Sequence, residues 1–94
     1  MKIDCEKRVV DTGERKSHLT PKEMAILNYL MSHEGVTVTC EEVYEGVWKS
    51  EPFMVEPVIA VHIRHLREKI EPDPSNPSYI RSFWGKGYRF ECIS

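Results

Sequence analysis

The stretch Pro57-Val58-Ile59-Ala60-Val61-His62-Ile63-Arg64-His65-Leu66-Arg67-Glu68-Lys69-Ile70 constrains this chain more than any other. Ile59, Ile63, Leu66 and Ile70 recur at spacings of four, three and four, the period of a helix with one face in a core. The opposite face then carries Pro57, Val61, Arg64 and Glu68, flanked by Ala60 and His65. A methyl-bearing residue, a guanidinium and an imidazole presented outward by one short helix suit the edge of a base pair. Four β-branched residues between Val58 and Ile63 favour a strand instead. The apolar period nevertheless continues through Ile70, and Pro57 costs no hydrogen bond at a first helical position. Pro72 biases the residue before it away from helical angles, so the helix is expected to stop near Glu71.

Ninety-four residues suffice for one small domain, 1–94, with a single modest core, and leave little room for a large enzyme cleft. No run of eighteen apolar residues is present, and Met1-Lys2-Ile3-Asp4 is no signal peptide, so neither a membrane span nor export is expected. Cys5, Cys40 and Cys92 are odd in number and form no Cys-x-x-Cys pair, which suits a reducing cytoplasm and inert thiols. The net charge of −2 speaks at first against nucleic acid, whose phosphates need Lys and Arg. Its distribution speaks the other way. Residues 1–56 hold seven basic and eleven acidic side chains, whereas 57–94 hold six basic and four acidic. One basic face on an acidic body is what a protein that meets DNA on one side requires.

Upstream, Lys2-Ile3-Asp4, Arg8-Val9-Val10 and Arg15 to Leu19, with a turn at Asp11-Thr12-Gly13-Glu14, read as short strands of a small antiparallel sheet. Thr20-Pro21-Lys22-Glu23 is a capping box with proline at the first helical position. Met24, Leu27, Leu30 and Met31 form its apolar stripe, and Gly35 ends the helix. A second box, Thr39-Cys40-Glu41-Glu42, opens a helix whose Val43, Val47 and Trp48 face the core, with Tyr44 beside them. The loop 49–56 carries Phe53, Met54 and Val55, apolar side chains that either tuck inward or await a partner. Beyond the turn-rich 72–77 connector, Ser78–Trp84 and Tyr88–Ile93 read as a hairpin joined by Gly85-Lys86-Gly87.

Leu19-Thr20-Pro21-Lys22-Glu23, Val47-Trp48, Val61-His62-Ile63-Arg64-His65-Leu66-Arg67 and Gly85-Lys86-Gly87-Tyr88-Arg89-Phe90 stand in the order and spacing of a known family. Over essentially its whole length the chain resembles the OmpR/PhoB-type effector domain of two-component response regulators. It looks most like the VanR-like regulators of Gram-positive bacteria. The resemblance implies an α+β winged helix-turn-helix fold: an N-terminal antiparallel sheet, three helices and a C-terminal hairpin wing, 79–93. It further implies a recognition helix, 57–70, in the major groove of double-stranded DNA, and a loop, 49–56, that contacts RNA polymerase in some members, with Lys49, Glu51, Phe53 and Met54 as the contact candidates. Such domains are joined to a receiver domain served by a sensor kinase; no receiver is contained in these residues, which suit an excised effector domain or a stand-alone one. The resemblance also implies a monomer that pairs in tandem on DNA, and no cofactor. Three positions depart from the usual pattern. Ala60 and His65 stand where many members carry an acidic residue and a second arginine, and Trp84 where many carry arginine.

The DNA-contact candidates are therefore Val61, for a thymine methyl; Arg64, for guanine or phosphate; His65, for a base or phosphate; and Arg67, Lys69, Arg81, Lys86 and Arg89, for phosphates. Trp84 is a candidate for packing on a sugar. Each has a plainer alternative: Arg64 pairs with Glu68 at i+4, Val61 packs on a neighbouring element, and the cations are solvated. His62, on the edge of the buried face, reads as structural. A metal site is not expected, because His62 and His65 lack further ligands at fitting spacing and His33, Cys40 and Cys92 fall on other elements. Nor is an enzyme, since no nucleophile, base and orienting group cluster. The rival function is a winged-helix protein-interaction module that has lost DNA.

Overall fold

The computed structural model describes residues 2–91, which run β1 (Lys2–Asp4), β2 (Val9–Asp11), β3 (Lys16–His18), α1 (Pro21–Ser32), α2 (Cys40–Trp48), α3 (Glu56–Ile70), β4 (Ile80–Phe83) and β5 (Gly87–Phe90). This is the expected α+β winged helix. The first three strands form an antiparallel sheet in sequential order, with Ile3 opposite Val10 and Val10 opposite Ser17. Val10 is fully buried and joins the sheet to the helical core. The sequence puts Arg8 in a strand and Asp11 in a turn. Instead Arg8 takes a positive φ of 54°, and Asp11 pairs with both Lys2 and Lys16.

Both capping boxes form. The Thr20 and Thr39 side chains accept from the Glu23 and Glu42 N–H groups, and those glutamates accept in return from the threonine N–H groups, at 2.9–3.2 Å. Such a cap contributes about 1 kcal/mol. Helix α1 ends at Ser32 rather than at Gly35, whose N–H instead donates to the Phe90 carbonyl at 2.9 Å. Ile26 is fully buried in α1 beside Leu27 and Leu30, although it lies outside the stripe read from the sequence, and Met31 is only partly buried. Val43 is the deepest residue of α2, with Tyr44, Val47 and Trp48 partly buried around it.

Helix α3 begins at Glu56, one residue earlier than expected, so Pro57 occupies its second position, and it ends at Ile70 with Glu71 extended ahead of Pro72. Ile59, Ile63, Leu66 and Ile70 are each no more than 1% exposed. Each contributes about 1.5–3 kcal/mol relative to exposure, enough to fix which face looks outward. The preceding loop divides between its two alternatives: Val55 tucks inward at 3% exposure, whereas Phe53 and Met54 project at 83% and 73%.

The wing strands are shorter than expected, and Trp84 lies in the turn between them rather than in β4. Cys92 and Ile93 lie outside the described residues. The connector between α1 and α2 also joins this hairpin, through reciprocal hydrogen bonds between Val38 and Tyr88 at 2.8 and 2.9 Å. That approach explains Gly87. With φ at 138°, a Cβ there would stand 2.0 Å from the Val38 carbonyl oxygen. Among the described residues, no helix is long and apolar enough to cross a membrane.

Candidate nucleic-acid interface

With its isoleucine and leucine side chains committed to the core, α3 turns Val61 and Arg64 outward. Val61 is 51% exposed, so it does not pack on another element, and the Arg64 side chain is 80% exposed. Arg64 Nε lies 3.3 Å from Glu68 Oε1, the i,i+4 pair anticipated from the sequence. Exposed pairs of this kind contribute only about 0.3–0.5 kcal/mol, so Arg64 exchanges Glu68 for a stronger acceptor at little cost.

His65 and Lys69 lean the other way, towards α1. Lys69 Nζ stands 2.7 Å from Glu23 Oε1 and His65 Nδ1 3.7 Å from Glu23 Oε2. Glu23 is only 3% exposed. Burial pushes its carboxyl up, but the hydrogen bonds from Lys69 and from the Thr20 N–H, with the Lys69 and His65 charges, together hold it below the usual carboxylate range. Glu23 thus does two jobs, of which the capping pattern revealed one.

Arg67 is turned towards the wing. Its Nε and Nη2 donate to the Ile80 carbonyl at 3.1 and 3.0 Å, and Nη2 to Ser82 Oγ at 3.1 Å. Beyond the end of α3, buried Glu71 accepts from the N–H groups of Ser78, Tyr79 and Ile80 at 2.7–3.0 Å. Arg15, from the turn between β2 and β3, donates to the Glu68 and Glu71 carbonyls and so satisfies the last turn of α3. Neither Glu71 nor Arg15 carries a local sequence signal, because their partners lie on other elements.

On the wing, Trp84 is 98% exposed and Lys86 sits beside it in the turn. Arg89 is held by Glu91 at 2.6 Å and lies over the Phe83 ring at 4.2 Å, whereas Arg81 reaches Glu91 only at 3.6 Å and stays half exposed. A groove of about 530 Å³ separates the wing tip from the starts of α2 and α3; Trp84 and Lys86 line one side, and Cys40, Glu41 and Glu56 the other. Burial, and then the charges of Glu41 and Glu56, push the Cys40 thiol up, so it stays protonated near neutrality. In the loop before α3, Lys49 adopts left-handed geometry as the C-cap of α2, and Glu51 is exposed with Phe53 and Met54.

His62 packs between helices: its Nδ1 lies 2.8 Å from the Val58 carbonyl, and its ring meets Trp48 edge-on at 5.5 Å. His62 therefore faces α2 while His65 faces α1, and the two imidazoles do not converge.

The geometry matches known proteins. Residues 13–90 fit the family model described as "Transcriptional regulatory protein, C terminal". The chain is 42% identical over 80 residues to the regulatory protein VanR of Enterococcus faecium, covering 84% of this chain and 35% of that protein. It is 40% identical over 87 residues to the transcriptional regulatory protein YcbL of Bacillus subtilis, covering 93% and 38%. It thus spans little more than a third of the length of these relatives. In fold it is similar to the DNA-binding domain of Klebsiella pneumoniae RstA, solved with the RstA box, at a TM-score of 0.80 and 24% identity over 95% of this chain and 88% of that one. With the sheet, the three helices and the wing all in place, the chain belongs to the C-terminal transcriptional regulatory family, the DNA-binding effector domains of OmpR/PhoB-type response regulators.

Proposed function

We propose that residues 1–94 form one effector domain that binds double-stranded DNA sequence-specifically, with the outer face of α3 in the major groove and the β4–β5 wing on the adjacent backbone or minor groove. The observation that carries this reading is the free outer face of α3: Val61 and Arg64 are exposed on a helix whose other side is locked into the core. A helix of about 10–12 Å diameter fits a major groove about 12 Å wide. Glu56 at the start of α3 and Trp84 and Lys86 at the wing tip border one groove, so helix and wing address the same ligand. Within this reading Val61 contacts a thymine methyl, Arg64 a guanine or phosphate, and Lys86 and Arg81 phosphates, with Trp84 against the sugars. Lys69, Arg67 and Arg89 are held within the domain at 2.6–3.1 Å, so their contribution to DNA is secondary, and half-exposed His65, 3.7 Å from Glu23, stands between the two groups.

The test is selection from a random-sequence duplex library, followed by titration of the selected site against salt. A defined site is expected, with log affinity falling linearly against log salt at a slope of about −0.9 per neutralised phosphate. Failure to enrich any duplex would overturn the reading.

The domain acts in the cytoplasm, joined to a phosphorylatable receiver served by a sensor kinase, and two copies assemble in tandem on DNA. A second contact is favoured by the exposure of Phe53 and Met54: with Lys49 and Glu51 they form a surface for RNA polymerase. Polymerase capture that survives digestion of the DNA, and is lost in a Phe53→Ala/Met54→Ala variant, is expected; unchanged capture by that variant would remove the loop from this role.

A further inference from the structure

Arg67 stands on α3 three residues after Arg64, yet its guanidinium engages both strands of the wing. It donates to the Ile80 carbonyl and to Ser82 Oγ on β4, and its Cζ lies over the Tyr88 ring of β5, 5.7 Å from the centroid. One turn further on, the Glu71 carboxyl takes the N–H groups of Ser78, Tyr79 and Ile80. The start of β4 is therefore gripped by its N–H groups through Glu71 and by a carbonyl through Arg67. Both grips issue from the C-terminal end of α3.

We propose that Arg67 is a positioning residue that sets the spacing and angle between α3 and the wing, so that its effect on DNA affinity passes through the wing and not through a phosphate bound by Arg67 itself. The proposal rests on the DNA-binding reading above. A guanidinium is suited to this task because its planar fork addresses two acceptors in one fixed geometry while its charge lies over an aromatic ring. A lysine ammonium carries the same charge but lacks the rigid planar fork that fixes both acceptors in one geometry.

The experiment compares Arg67→Lys, Arg67→Gln, Ser82→Ala and the Arg67→Gln/Ser82→Ala double variant. Two readouts are used: amide hydrogen exchange across β4–β5 without DNA, and affinity and hydroxyl-radical footprint on the duplex selected by the wild type. Both Arg67 variants are expected to speed exchange in the wing and to lose the wing part of the footprint, with affinity down about tenfold in each. Ser82→Ala is expected to give a smaller loss in the same direction, and none in the Arg67→Gln background. Ser82 is exposed, so this variant keeps its fold. Arg67→Lys binding like the wild type, together with unchanged wing exchange in Arg67→Gln, would overturn the proposal and make Arg67 an ordinary phosphate contact. A wild type that selects no duplex would instead overturn the DNA-binding reading, and the role of Arg67 in DNA binding with it; the exchange arm separately decides whether Arg67 holds the wing.

Discussion

From Glu56 to Arg64, α3 is held by Ile59 and Ile63 beneath it and by His62 against Trp48; its N-cap, Val55, offers no side-chain hydrogen bond. From His65 to Glu71 the same helix is pinned from three sides: by Glu23 of α1, by Arg15 from the N-terminal sheet, and by its own Arg67 and Glu71 reaching the wing. Helices α1 and α2, by contrast, both begin with complete capping boxes. The difference teaches a division of labour along one element. Arg67, Lys69 and Glu71 of the second half are spent on orientation, while Arg64 of the first half, held only by an exposed pair with Glu68, remains available to a ligand.

The largest way to break this contrast is at Glu71. Glu71→Ala removes the acceptor for three backbone N–H groups in a fully buried site, and should destabilise the domain by about 3 kcal/mol or more in urea unfolding. A loss below about 1 kcal/mol would mean that water replaces the carboxyl and that the second half is pinned less firmly than the geometry implies.

Arg64→Ala probes the other half. It should leave stability within about 0.5 kcal/mol of wild type, yet cost about 1–3 kcal/mol of affinity for the selected duplex and relax its preference at one or two base pairs. An unaltered site profile would take Arg64 out of base recognition.

Glu23→Gln is the mildest change, since glutamine still accepts the Thr20 N–H in the capping box. What is lost is the charge facing Lys69 and His65, a partly screened contribution of about 1 kcal/mol. Because the Glu23 carboxyl is held below its ordinary range in the folded domain, its stabilisation is present above the unfolded value of about 4.3 and is lost as pH falls through the folded value. The stability gap between wild type and Glu23→Gln should therefore be widest near neutrality and close in acid. A gap that widened in acid would reverse the sign of the assigned interaction.

Features written in neighbouring residues were legible without coordinates. Thr20 with Glu23 and Thr39 with Glu42 lie three apart and announce two helix starts, and the isoleucine and leucine period of α3 identifies its buried side. Features that depend on meetings across the fold were not. Lys69 finds Glu23 across 46 positions and Arg67 finds Ile80 across 13, so both read from the sequence as free cations. Val55 looked like its neighbours Phe53 and Met54, because burial of a loop side chain depends on what the loop passes over. Trp84 reads from the sequence as the last residue of the strand Ser78–Trp84, whereas the tight turn into Gly85 leaves it outside the ladder.

The clasp between Val38 and Tyr88, with Gly87 pressed against the Val38 carbonyl, has a consequence for engineering. A hairpin transplanted from another regulator would arrive without the segment it is stitched to, and any side chain at the second glycine of its tip would collide with the host. Recombining specificities between such proteins therefore calls for exchanging residues 36–39 together with 80–90, as a single cassette.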